Sequence, residues 1–157
     1  MEKKDVALDG RACLEALAAF APRLREAEAP FGSMSEPVGG GSPGNAIQMP
    51  YWDHSALAGD FMKMAYEFGW VSNDFDWTDW NKTEEGSRLL RDPSTVAEAD
   101  IDQLARLMTA IMRLDRFIEG SLADYFENGI ALAVAERAEA ILRSGTGFKG
   151  VLKHRPW

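Results

Sequence analysis

Apolar residues return along this chain at spacings of three and four, in several separate blocks. The first block runs from Asp9 to Glu28, where Ala12, Leu14, Leu17, Ala18, Ala21 and Leu24 share a helical face. Asp9 can cap its start, and Pro22, which lacks an N–H and crowds the preceding turn, predicts a kink or break near Phe20. A second block, about His54 to Phe68 behind an Asp53 cap, places Leu57, Phe61, Met64, Ala65 and Phe68 on one side. Gly69-Trp70 ends it, because glycine accepts the left-handed conformation and the next apolar residue folds back on the last turn. Tyr125-Phe126-Glu127-Asn128-Gly129-Ile130 repeats that stop chemistry.

Between Trp77 and Leu90 the pattern predicts a short helix opening after Thr78 or at Asp79. Asp92-Pro93-Ser94 reads as a turn, and Ser94 or Asp100 opens the next helix. The strongest periodicity follows: Leu104, Leu107, Met108, Ile111, Leu114 and Phe117 or Ile118, read as a core-facing stripe. Gly120 breaks it, helix resumes from Leu122 to Asn128, and a last helix spans about Ile130 to Arg143. In that helix Leu132, Val134, Ala138, Ile141 and Leu142 are apolar, and Arg137 and Arg143 complement the negative end of the dipole.

Pro30 to Gly44 is rich in glycine and proline and predicts neither helix nor strand. It lacks the Gly-Lys-Ser/Thr ending of a phosphate-cradling loop. Only Gln48 to Trp52 reads as extended. The expected fold is all-α: one domain, a compact bundle of five to six helices, with the first helix at 9–28, a flexible loop at 30–48, a helical core at 49–143 and a tail at 144–157.

A chain of 157 residues can bury roughly two-thirds of its unfolded surface. No apolar run approaches the ~20 residues of a membrane-spanning helix, and no signal peptide is read at the N-terminus. Cys13 is the only cysteine and sits among apolar neighbours, which fits a packed thiol in a reducing compartment; the expected location is the cytoplasm. The net charge of −8 is uneven, with −9 in residues 49–128 and +3 in residues 129–157. Such a middle repels phosphate backbones, which disfavours direct nucleic-acid binding and allows docking to a basic partner.

Costly residue types concentrate between Phe75 and Gly129. Trp77 and Trp80, three apart, are expected on one side of a helix or turn beside Asp76 and Asp79, with Tyr51 nearby. The rings either plug the end of the bundle or form a pocket or docking spot, where the two acids would meet a cation. Arg113 and Arg116 share a helix face and suit a carboxylate or phosphate through their planar forks. Internal partners for them are available in Asp76, Asp79 or Glu127, in which case they staple the aromatic knot to the helix. Glu119 stacks on Asp115 at i,i+4, a spacing common on helix surfaces.

No catalytic constellation emerges. His54 and His154 are the only histidines, no metal-ligand spacing is present, and Asp74, Asp76 and Asp79 make at best a weak magnesium candidate. No serine occupies a nucleophile-elbow pattern. The chain is therefore expected to have no cofactor and no metal, and the residues lean against an enzyme without deciding it.

Phe75-Asp76-Trp77-x-x-Trp80, Arg113-x-x-Arg116-Phe117-x-x-Gly120-x-Leu122 and Glu127-Asn128-Gly129 together resemble a family of small bacterial proteins of unknown function, over roughly Met49 to Leu142. The resemblance implies no catalytic residues, suggests a bacterial, phage or plasmid origin, and groups the aromatic knot with the arginines. The expected function is an intracellular interaction protein with an acidic, aromatic-rich docking face around residues 51–80. Its narrowest form is a mobile-element inhibitor occupying a basic nucleic-acid-binding surface of a host complex. Two alternatives stand beside it: a small-ligand or enzymatic domain gripping an anion with Arg113 and Arg116, and a structural homodimer subunit. The candidate binding residues are Tyr51, Asp76, Trp77, Asp79, Trp80, Arg113, Arg116 and Glu119.

Overall fold

A computed structural model describes residues 10–35, 44, 51–72 and 75–145. The elements follow in the order α1 (Gly10–Ala18), α2 (Phe20–Glu26), β1 (Gly32–Met34), β2 (Trp52–His54), α3 (Ala56–Glu67), α4 (Trp77–Lys82), α5 (Glu84–Arg91), α6 (Pro93–Val96), α7 (Ile101–Phe117), α8 (Ser121–Glu127) and α9 (Ile130–Ser144). The chain is mostly α-helical, as its periodicity predicts, in more and shorter helices than the blocks suggest.

Local chemistry explains the divisions. The first block breaks at Ala19, which leaves Pro22 in the first turn of α2, where its missing N–H has no helical partner to lose. Ser55 caps α3 by accepting a hydrogen bond from the Ala58 N–H at 3.2 Å. The expected cap, Asp53, lies instead in β2. At the other end, Trp70 N–H donates to Ala65 and Gly69 N–H to Tyr66, the paired bonds of a Schellman stop with Gly69 at φ +72°. The block after Phe75 divides at Thr83, which ends α4 and caps α5 through its hydroxyl on the Gly86 N–H. Asp92 caps α6 ahead of Pro93, so the expected turn is a helix start. Asp100 and Gln103 close a reciprocal capping box on α7.

A strand pair departs from the all-helical expectation. β1 and β2 are antiparallel, with Gly32 opposite His54 and Met34 opposite Trp52. The glycine and proline content of the surrounding stretch hides a three-residue strand whose partner lies beyond it. Of the loop expected at 30–48, only residues 30–35 and 44 are described, and the expected tail beyond Gly145 and the Asp9 cap lie outside the described residues.

The core is built around α7 and α9. Leu104, Leu107, Met108 and Ile111 of α7 and Ile130, Val134, Ala138 and Ile141 of α9 are buried. The small buried faces of Ala131, Ala135 and Ala138 let α1 lie close against α9. Phe61 of α3 joins the layers by edge-on ring contacts with Phe20 and Phe126, each at 5.3 Å. Cys13 is fully buried, its Sγ 3.1 Å from the Phe68 carbonyl, a packed thiol as expected.

Candidate functional site

The aromatic knot begins with Asp76, which caps α4. Its carboxylate accepts hydrogen bonds from the Thr78 hydroxyl at 2.6 Å and from the Thr78 and Asp79 N–H groups. These donors, the Thr78 hydroxyl foremost, hold its pKa below the ordinary carboxylate value. Asp76 is thereby a structural cap, and Asp79 sits exposed in the same first turn.

The two tryptophans expected on one side take different roles. Trp80 is only 7% exposed, and its indole N–H donates to Glu85 at 2.6 Å. Gln103 and Arg106 of α7 donate to the same carboxylate, so Glu85 joins α4, α5 and α7. The Trp80 indole first, then Gln103, lowers the Glu85 pKa against the opposing effect of burial. Trp77 is half-buried, and its ring lies 5.9 Å from that of Phe117. Phe75 stands between the two, edge-on to Trp80 at 5.7 Å and beside Trp77.

The end of α7 corrects the sequence reading most. Phe117 and Ile118, expected in the core stripe, are 76% and 57% exposed. There the Trp77 ring lies beside Phe117, which keeps most of its surface open. A depression of about 290 Å³ lies beside it, lined by Ser72, Phe75, Trp77, Arg113, Arg116 and Phe117. The Arg116 guanidinium lies over the Tyr66 ring, 5.8 Å from its centroid. Arg116 is not ion-paired with Asp76, Asp79 or Glu127 among the described residues.

Glu119 and Tyr51 belong to a neighbouring construction, the seam where the strand pair meets the α7–α8 corner. Glu119 Oε1 accepts the Trp52 backbone N–H at 2.6 Å. The Trp52 ring passes between Gly32 and Gly120 so closely that a Cβ on Gly32 would approach its Nε1 to 2.5 Å, and one on Gly120 its Cε3 to 2.9 Å. Asp115 does not pair up with Glu119. One of its oxygens accepts the Leu122 N–H at 3.0 Å and the other lies 3.3 Å from His54 Nε2. Trp52 Nε1, His54 Nδ1 and Ser121 Oγ are buried in this seam with no hydrogen-bond partner among the described residues. Tyr51, 47% exposed, continues the strand through Ser35, whose N–H donates to its carbonyl at 2.7 Å.

Of the eight candidates, then, the structure gathers Trp77, Arg113 and Arg116 at one depression. Asp76 and Asp79 stand at the start of α4, Trp80 is core, and Glu119 and Tyr51 serve the strand seam. Phe117, Ile118, Tyr66 and the Glu85 cluster were missed. Only the first two carried a signal, as apolar residues two and three positions before a helix-breaking glycine.

A larger cavity of about 650 Å³ lies between α6 and α9, beside Arg25, Arg137 and Arg143, and contains no candidate residue. There Arg25 is held by Glu139 and Glu136, which raise its pKa. Among the described residues no three His, Cys, Asp or Glu side chains converge to hold a metal ion, and no helix is long and apolar enough to cross a membrane. Asp74, the third carboxylate of the magnesium candidate, lies outside the described residues.

A family model described as a family of unknown function (DUF6508) matches residues 11–144. The match begins in α1, so the first helix and the glycine-rich stretch, expected outside the resemblance, belong to it. No curated protein and no solved structure matches the chain.

Proposed function

The chain belongs to this family of unknown function, whose description assigns no activity, and on that footing we propose that it is an interaction protein docking through the aromatic end of α7. One observation carries the reading: Phe117 and Ile118 are largely exposed at the end of the longest helix, against the half-buried ring of Trp77. Adjacent exposed apolar side chains next to an aromatic ring and an arginine have the composition of a binding hot spot. The net charge of −8 supports the narrower version, in which the partner presents a basic surface, such as the nucleic-acid-binding face of a host complex. Asp76 and Asp79 then border the apolar centre, and the compartment is intracellular.

The depression beside Phe117 favours a second reading, a small anionic ligand held by Arg113 and Arg116. Its volume of about 290 Å³ lies at the lower edge of ligand pockets, roughly 300–1,000 Å³. Docking is therefore the stronger reading.

The test is affinity capture with the tagged chain at low and high salt, comparing wild type, Phe117→Asp and a control on α1, Arg11→Ser. A stoichiometric partner lost only with Phe117→Asp is expected, and circular dichroism establishes that the variant folds. A partner retained by Phe117→Asp overturns the reading. If wild type comes down alone and its mass rises with concentration, the face serves a second copy of the chain.

A further inference from the structure

We infer that the cavity between α6 and α9 binds a small amphiphilic anion, its carboxylate or phosphate head on Arg137 and Arg143 and its aliphatic body along the rest of the trough. The site shares no residue with the depression at Trp77 and stands independently of the docking reading.

Charge is the first argument. The lining sets three arginines, Arg25, Arg137 and Arg143, against two acids, Glu136 and Glu139. Both acids are spent on Arg25, which donates to each. Asp92, beside the lining residue Ser94, is spent as well, accepting the Ser94 N–H at 3.0 Å and its hydroxyl at 2.7 Å. Arg137 and Arg143 form no ion pair among the described residues. Residues 146–157 contain Lys149, Lys153 and Arg155 and no Asp or Glu, so the side chains that follow α9 add only positive charge. Against the roughly half a negative charge at the end of the α9 dipole, the two arginines bring two positive ones.

Geometry supplies the second. The half-buried Arg137 donates its Nε–H to the Ala99 carbonyl at 2.7 Å. That bond fixes the side chain and leaves its two terminal nitrogens, the fork that a carboxylate or phosphate meets with parallel hydrogen bonds. Arg143 stands about 9 Å further along the helix axis, with the small Ala140 between them in the same lining. Shape supplies the third. Towards the start of α9 the lining turns apolar, with Leu132 and Ala133 facing Pro93 and Ala97 of the α6 segment. No ring other than proline's lines it, which suits an aliphatic chain better than a base or an aromatic group. The volume of about 650 Å³ is that of ligand pockets, roughly 300–1,000 Å³.

Octanoate, octanamide and acetate separate head from body. Each is titrated into the full ¹⁵N-labelled chain while the Arg137 Nε–H and the Ala133 and Ala140 amide signals are followed. Octanoate is expected to shift all three saturably. Octanamide, without the charge, and acetate, without the chain, should each bind about tenfold more weakly, the scale of one charge-assisted hydrogen bond. Octyl phosphate distinguishes the two head groups, by binding more or less tightly than octanoate. Arg143→Gln, at an exposed position, should weaken octanoate severalfold, and Arg143→Glu should remove its advantage over the amide; each variant's spectrum, dispersed like wild type, shows that it folds. Equal affinity for octanoate and octanamide, acetate binding as tightly as octanoate, an advantage that survives Arg143→Glu, or unmoved signals overturns the inference.

Discussion

The Glu119 carboxylate and the Trp52 backbone N–H, 67 residues apart in sequence, meet at 2.6 Å and fasten the strand pair to the end of α7. A charged acceptor on a backbone donor is among the stronger hydrogen bonds, although Glu119 is exposed to water. Glu119→Ala should destabilise the fold by about 1 kcal/mol, whereas Glu119→Gln, which keeps an acceptor, should lose less. Urea midpoints of the two variants compare them directly. Equal losses would remove the bond from the account.

Gly120 tests the other half of the seam. Its φ of +84° and the Trp52 ring 2.9 Å from a built Cβ both oppose a side chain. Gly145, at φ +68°, has nothing within 4 Å of its Cβ position. Gly145→Ala should cost only the left-handed strain, about 1 kcal/mol, and Gly120→Ala clearly more. The same denaturation measurement decides it, and Trp52→Ala in the Gly120→Ala background should recover the difference between them.

Trp80 and Phe117, one buried and one exposed, should differ sharply in what their loss costs. Trp80→Ala removes a buried ring and the indole donor to Glu85, and should cost about 3–5 kcal/mol. Phe117→Asp, at a position 76% exposed, should leave stability within about 0.5 kcal/mol. Thermal unfolding of both separates core from docking face before any partner is known.

Acid stability should report on Glu85. Its folded pKa is lowered, so its contribution is present above the ordinary value of 4.5 and is lost as pH falls through the folded value. Stability should therefore fall as the pH drops below about 4.5. Glu85→Gln should be less stable at neutral pH, with a shallower decline into acid. Parallel melting curves for the two proteins from pH 7 to pH 3 would exclude the effect.

Much of the helical architecture is written in local chemistry. The Ile101 block, the Pro22 break and the Gly69-Trp70 stop each depend on residues a turn apart, and each is found where the pattern places it. The strand pair was hidden because Gly32 owes its place to Trp52 across the pair and Gly120 to the same ring, relations that no local window contains. Likewise a spacing of three placed Trp77 and Trp80 together. What separated them was α5 and α7, which bring Glu85 and Gln103 to Trp80 and leave Trp77 to Phe117. Periodicity gave Phe117 and Ile118 an apolar face without saying where the bundle ends. The arginine depression was half legible: Arg113 and Arg116 by type and spacing, Tyr66 and Phe117 only by folding.

Ser35 and Tyr51 form a closed gate at the foot of the strand pair, the Ser35 N–H on the Tyr51 carbonyl and the Tyr51 N–H on the Ser35 hydroxyl. Everything the chain does between those two residues begins and ends at one point on the body. Lengthening a connection with fixed ends is thermodynamically mild, about 0.6 kcal/mol for each doubling. The two bonds fix those ends directly to each other, so the register of the strand pair does not depend on the length of chain that joins them.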